Sequence, residues 1–253
     1  MLPTPSTSHV DYSRVYEPAE DSFLLLDTLA SESENTFLRQ KFPANDSPTP
    51  LVLEVGTGSG VVLAFVAAHV KQIFGRTDLL VAGTDLNAFA CVASCKTIDS
   101  SQASIASTES HGTFLGILHT DLTSGWLPGN VDVLIFNPPY VPSEVLPSSR
   151  SDGDVEDAFA RDSRLLSLST DGGHEGMEVT ERILADLDLT LSTRGVAYIL
   201  LCAQNKPEDV MARVGSWTRA SDKATQVEWQ VEKVSFSGNK AGWERLCVIR
   251  IWR

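Results

Sequence analysis

The chain runs to 253 residues and 27.4 kDa, enough for one large domain or two small ones, and its 42% hydrophobic and 21% charged residues exclude wholesale disorder. Twenty basic against 33 acidic residues leave a formal net charge of −13, which disfavours a nucleic-acid binder, because displacing counterions from phosphates takes a basic face. Cys91, Cys95, Cys202 and Cys247 form no CxxC pair, and with no secretory leader and no apolar run of about 20 residues the expectation is a soluble protein of a reducing compartment, the cytoplasm or also the nucleus.

Residues 1–15 are rich in Pro, Ser and Thr and read as a loose N-terminus ahead of a single domain over 16–253. Pro18 among acidic neighbours opens a helix, and the leucines after Phe23 give it a buried face, so 16–42 reads as a helical lid. Residues 43–50 are a turn-rich connector. Leu51–Val55 reads as a buried strand, and Gly58-Ser59-Gly60 opens a helix running to about Phe74. Leu79–Gly83 is a second strand, ending at Thr84-Asp85-Leu86, and Ala88–Ile98 a short helix. The Ser/Thr-rich residues 99–112 read as a loop, Phe114–Leu118 as a third strand and Val131–Phe136 as a fourth.

Residues 151–190 hold eleven Asp/Glu against three Arg, over half of the net negative charge; the first part reads as a loop and Gly176–Leu191 as a helix. Val196–Cys202 is a fifth strand and Pro207–Arg219 a helix. Gln226–Phe236 and Trp243–Trp252, joined at Ser237-Gly238-Asn239-Lys240, read as an antiparallel hairpin. Strands alternating with helices predict an α/β fold, a mostly parallel sheet of seven strands closed by that hairpin.

The chemistry gathers at strand ends. Glu54-Val55-Gly56-Thr57-Gly58-Ser59-Gly60 follows the first strand, and alternate glycines let the backbone approach a ligand beside a helix N-terminus. Standing alone, such a loop is only a tight turn. Asp85 closes the second strand, where a carboxylate can accept both hydroxyls of a ribose, and Asp121 follows the third, where an adenine would lie; each alone would be a turn former or cap. The fourth strand ends in Asn137-Pro138-Pro139-Tyr140. Two prolines remove two donors and leave carbonyls free. The Asn137 side-chain oxygen and the Pro138 carbonyl can then hold both hydrogens of a planar NH₂ group, with the Tyr140 ring packed on it. Such a nitrogen has a delocalised lone pair, so orientation matters more than a base. His9, His69, His111, His119 and His174 are scattered, and no metal set is expected.

The glycine loop with its two aspartates resembles the S-adenosylmethionine pocket of the Rossmann-like class I methyltransferases. With Asn-Pro-Pro-Tyr it is similar to the amino methyltransferases. Tyr16-Glu17-Pro18-Ala19-Glu20-Asp21-Ser22 resembles more narrowly the HemK-like glutamine methyltransferases, in the short eukaryotic and archaeal branch, which lacks a long N-terminal helical domain; the resemblance runs from Val15 to the C-terminus. It implies transfer from S-adenosylmethionine to the glutamine side-chain nitrogen in the Gly-Gly-Gln motif of the eukaryotic class-one release factor. It implies catalytic Asn137, Pro138 and Tyr140, and cofactor contacts from Tyr16, Ser22, Glu54, Gly56, Gly58, Gly60, Asp85, Asp121, Leu122 and Asn137. Gly172-Gly173-His174-Glu175-Gly176 resembles the family's Gly-rich turn, for which a plain helix start also suffices.

The resemblance also implies a heterodimer with a small zinc-binding activator subunit. The third strand, expected at the sheet edge, and the helix 88–98 with Phe89, Val92 and Ile98 offer an apolar flank for it. The alternatives are an amino methyltransferase acting on adenine or guanine, histone lysine methylation as a second activity, and a binding module that has lost catalysis. Direct nucleic-acid or membrane binding is not expected.

Overall fold

The computed structural model describes residues 2–45, 47–104, 111–147, 157–219, 227–238 and 245–253. In chain order it runs α1 (Glu20–Ala30), α2 (Glu32–Lys41), β1 (Leu51–Val55), α3 (Val61–Ala68), α4 (Val70–Phe74), β2 (Leu80–Asp85), α5 (Ala88–Ser104), β3 (Thr113–His119) and β4 (Val131–Phe136). There follow α6 (Ala158–Thr170), a 3₁₀ turn at His174–Gly176, α7 (Glu178–Thr190), β5 (Leu191–Cys202), α8 (Pro207–Gly215), a short pair β6 (Thr218–Arg219) and β7 (Val227–Glu228), then β8 (Gln230–Phe236) and β9 (Leu246–Trp252).

Seven strands form one sheet in the order β3-β2-β1-β4-β5-β9-β8. β1 to β5 pair in parallel, while β9 runs antiparallel to both β5 and β8. This is the expected class I methyltransferase sheet with its terminal hairpin. Successive residues of a strand face opposite sides of the sheet. Val133 and Ile135 of β4 therefore join the core beneath α1 to α4, whereas Leu134 and Phe136 join the one beneath α7 and α8. A strand buried on both faces is mostly apolar, and β4 departs from this only at Asp132, whose carboxylate accepts from Ser192 and Arg194, which explains why β4 was legible to the residue. The strand order reverses between β1 and β4, and such a switch point leaves a crevice at the carboxyl ends of the strands.

The lid helices are fastened from the far side of the sheet. Glu34 of α2 accepts two bonds from Arg250 Nη1 of β9, at 2.9 and 2.7 Å, and one from the Tyr198 hydroxyl of β5 at 2.7 Å. The guanidinium also lies 3.7 Å from the Phe37 ring centroid. Desolvation is offset here by charge-assisted hydrogen bonds and a cation–π contact.

Several expectations need correction. The stretch read as loose is packed: Val10 and Val15 are buried against Ala90 and Ala93 of α5, and His9 Nε2 lies 3.2 Å from the Ala93 carbonyl. The helix expected through Phe74 breaks at His69, whose Nε2 lies 2.9 Å from the Pro3 carbonyl. α5 continues six residues past Ile98, and Gln102 ties its end to the Gly112 carbonyl at 2.8 Å. Its Ser-rich last turns carry no apolar period. Within the acidic stretch, α6 is a helix where a loop was expected; Asp157 caps it by accepting from the Ala160 N–H at 2.7 Å. β5 starts at Leu191, five residues early, and α8 ends at Gly215. Ile98 is buried in the core and so leaves the flank, while β3 is the edge strand as expected. The centre of the 99–112 segment, the start of the acidic stretch at 151–156 and the hairpin turn at Asn239-Lys240 lie outside the described residues.

Candidate active site

A cleft of about 240 Å³ opens at the carboxyl ends of β1, β2, β3 and β4. Its floor is the glycine loop. Gly56, Gly58 and Gly60 all have positive φ, the region where a Cβ is strained. Gly58 has open space where a side chain would stand, so a ligand can press against its backbone. Gly60 instead lies outside the cleft lining, and a Cβ there would come within 2.6 Å of Ser94 Cα. It is a packing position between α3 and α5, not the expected ligand contact.

Glu54 and Asp85 hold this loop in shape. Glu54 Oε2 accepts the Leu63 N–H at 3.0 Å, satisfying one of the free donors in the first turn of α3. Burial pushes its pKa well above the ordinary range, opposed by the Leu63 N–H and reinforced by the nearby Asp85 charge. Asp85 accepts from the Gly58 N–H and from the Asn87 N–H, each at 2.8 Å. Its pKa is raised by desolvation, which those two bonds oppose. With the Leu86 N–H as a weaker third donor, the carboxylate still keeps acceptor capacity for a ligand's hydroxyl.

On the β3 side, Asp121 and Leu122 line the cleft, and Leu122 has a positive φ of 50°. Asp121 Oδ2 accepts from Arg182 Nη2 of α7 at 2.6 Å. Arg182 also lines the cleft, and the sequence reading missed it because nothing local marks a helix arginine as facing a strand end.

On the β4 side Asn137 lines the cleft. Its Nδ2 donates to Asp21 Oδ2 at 3.1 Å, and its Oδ1 is buried with no hydrogen-bond partner among the described residues. Tyr16 and Ser22 reach the same wall, and both donate to the Asp21 carboxylate. Pro138 is buried, and Tyr140 is 9% exposed with its ring in the core beneath α1. Neither lines the cleft, so the expected ring platform for a substrate is absent from this arrangement.

The Asn-Pro-Pro-Tyr loop is buttressed from below. Asn205 Nδ2 donates to the Tyr140 carbonyl at 3.1 Å and to the Glu175 carbonyl at 3.0 Å. A Cβ on Gly176 would collide with the Tyr140 carbonyl, and one on Gly172 with the Pro139 carbonyl. The Gly-rich turn thus does more than start a helix: it lets two chain segments meet edge to edge. α6 roofs the cleft with Leu165 and Leu168.

No histidine or cysteine is among the residues lining the cleft, and no cluster able to hold a metal occurs among the described residues. Burial pushes the Cys91 thiol up to about 12, so it is no nucleophile. The donors and acceptors present fit S-adenosylmethionine: an open backbone at Gly58, a carboxylate with acceptor capacity left at Asp85, and a second carboxylate at Asp121. They suit binding and orientation, with no base for strong proton abstraction.

The chain is similar to the methyltransferase HEMK2 of Mus musculus, at 35% identity over 218 residues and 83% of each chain. It is similar at 30% identity to the eRF1 methyltransferase catalytic subunit mtq2 of Schizosaccharomyces pombe, over all of this chain and 96% of that one. A putative protein N5-glutamine methyltransferase of Methanocaldococcus jannaschii matches at 28%, over 96% and 93% of the two chains. No family model matches. Among solved structures, a ribosomal protein L11 methylase of Lactobacillus delbrueckii superposes with a TM-score of 0.50 at 13% identity, covering 95% of this chain and 82% of that one, a likeness of fold.

Proposed function

The chain belongs to the HemK-like protein-glutamine methyltransferases, in the branch of mouse HEMK2 and fission-yeast mtq2, and on that premise we propose that it methylates the glutamine side-chain nitrogen of the Gly-Gly-Gln motif in the eukaryotic release factor eRF1. It is an S-adenosylmethionine-dependent enzyme. The cofactor supplies an electrophilic methyl group on a sulfonium. Asp85 would take the ribose, Asp121 and Leu122 the adenine, and Glu54, Gly56 and Gly58 the loop side; Tyr16 and Ser22 would close the methionine end.

The observation that carries the reading is the orphaned Asn137 Oδ1 at the end of β4. A buried acceptor without a partner is costly. A substrate amide satisfies it, with one N–H pointing at Oδ1. That fixes the nitrogen and turns its lone pair out of conjugation towards the methyl group. The proton is lost to water after transfer, because the positively charged methylated amide nitrogen is strongly acidic and needs no strong base.

Two features support a protein substrate and a partner. Of the acidic residues in α6, α7 and the turn between them, Asp171 lines the cleft, where a basic substrate tip would be steered. On edge strand β3 and on α5, Leu115 is 52% and Val92 56% exposed, with Leu118 and Phe89 beside them. A small zinc-binding activator subunit would cover this edge by strand addition, making the working form a heterodimer of the reducing cytoplasm.

The test is methyl transfer from labelled cofactor to eRF1 and to eRF1 with the Gly-Gly-Gln glutamine replaced by leucine, assayed with and without the co-purifying partner. Label on wild-type eRF1 alone is expected, and Asn137→Ala should abolish it while cofactor affinity holds. Equal labelling of both substrates overturns the reading.

A further inference from the structure

An asparagine amide has two nearly isosteric ends, and only one of them is an acceptor. The reading of Asn137 above works only if Oδ1 faces the cleft; the flipped amide would present two N–H donors to a substrate that is itself a donor. The β4 backbone does not decide this orientation, because both rotamers fill the same space.

Asp21 decides it. This carboxylate is 2% exposed, on the first turn of α1. Oδ1 accepts the Ser22 N–H at 2.5 Å and the Ser22 hydroxyl at 3.1 Å; Oδ2 accepts the Tyr16 hydroxyl at 3.0 Å and Asn137 Nδ2 at 3.1 Å. Two carboxylate oxygens offer about four lone-pair directions, and four donors from this chain fill them. No capacity remains for a ligand ammonium. An ionised carboxylate can only accept, so the Asn137 end that meets it must be the NH₂.

The geometry points to Asp21 as the positioning residue that sets the Asn137 amide the right way round, with Tyr16 completing the pair of donors that fixes Oδ2. It lines the cleft, but all four of its hydrogen bonds are made to this chain's own groups. The inference rests on the reading of Asn137 as the amide-holding group. It also gives the N-terminal segment a part in the chemistry beyond covering the cofactor: the acceptor at the end of β4 is directed by a residue 116 positions earlier in the chain.

The substitution Asp21→Asn tests it. The Ser22 N–H still needs an acceptor, so the oxygen of the new amide faces Ser22 and its NH₂ faces Asn137, which must then flip. We expect kcat for eRF1 methylation to fall by about 10²-fold, the scale of losing one preorganised hydrogen-bonding group. Cofactor Kd and thermal midpoint should stay near wild type. The double substitution Asp21→Asn with Asn137→Asp restores an acceptor on both sides of residue 137 and should regain at least about tenfold over Asp21→Asn, a rescue that mere structural damage does not permit. In the wild type, the Asn137 side-chain NH₂ resonances, assigned by their loss in Asn137→Asp, should exchange slowly with solvent, which keeps the test valid if Asp21→Asn does not fold. Wild-type turnover in Asp21→Asn, a cofactor Kd that weakens in step with kcat, no rescue in the double variant, or fast NH₂ exchange each overturns the assignment. An active Asn137→Ala overturns instead the reading on which it rests.

Discussion

Arg182 on α7 and Asp121 after β3 share a 2.6 Å hydrogen-bonded ion pair at the rim of the cleft. Both side chains are about half exposed, so the pair adds little to global stability. Its effect is local: it holds the Asp121 carboxylate in one rotamer beside the site. Arg182→Ala should therefore weaken cofactor binding by about 1 kcal/mol, near fivefold, with an unchanged thermal midpoint. Calorimetry giving wild-type affinity would remove Arg182 from the binding account.

Asp85 is expected to contribute more. On the proposed placement it faces the ribose, and hydrogen bonds to a charged group are worth roughly 1.5–3 kcal/mol. Asp85→Ala should lose that much affinity. It should also loosen the loop, because the Gly58 and Asn87 N–H groups lose their acceptor. Unaltered calorimetric affinity would move the ribose elsewhere.

Glu54 gives a pH signature. Its folded pKa lies well above the ordinary value of 4.5 because burial favours the neutral form. Stability from this group is fully present below about 4.5 and is lost as pH rises through the raised folded value. Glu54→Gln stays neutral at every pH, and its amide oxygen still accepts the Leu63 N–H. The ligand-free variant should melt above the wild type at pH 7, and the two should converge in acid. Melting curves that run parallel across the range would contradict the assignment.

Arg250 should behave as a buried charge whose loss strands its partners. Arg250→Ala leaves Glu34 desolvated between Tyr198 and the sheet, at a cost of about 3–5 kcal/mol. Urea unfolding measures this. A loss under about 1 kcal/mol, the value of an exposed pair, would refute it.

The partner surface needs a probe that spares the fold. Ile117 looks suitable in the sequence, but it is part-buried and packs on the core, and its Cδ1 lies 2.8 Å from where a Gly83 Cβ would stand. Leu115 points outward from the same strand. Leu115→Lys should abolish co-purification with the activator and leave cofactor affinity unchanged. A complex that survives this substitution puts the interface elsewhere.

What the sequence disclosed follows from which forces act locally. β1 and β4 could be read to the residue because strands covered on both faces are apolar apart from an anchored carboxylate in each, Glu54 and Asp132. The glycine loop and Asn137 were legible because backbone geometry and hydrogen-bond chemistry restrict the residue types allowed there. Tyr140 and Gly60 were recognised as special positions, but whether a side chain turns to the ligand or to the core depends on packing partners far along the chain. Asp21, Arg182 and Asn205 reach the cleft and its Asn-Pro-Pro-Tyr loop through partners 116, 61 and 65 residues away. α6 was hidden because a helix that roofs a polar cleft needs only a few leucines.

Glu34 and Arg250 stand 216 residues apart, and synthesis is vectorial. The lid helices leave the ribosome first and are anchored last. Until β8 and β9 emerge, the apolar faces of α1 and α2, with Leu25, Leu29, Leu38 and Phe42 buried in the finished molecule, have only part of their sheet to rest on. The nascent chain therefore carries these apolar faces only partly covered for much of translation, a natural station for a chaperone. A chain terminated before Arg250 would hold every residue of the cleft and still lack the bolt that closes its lid.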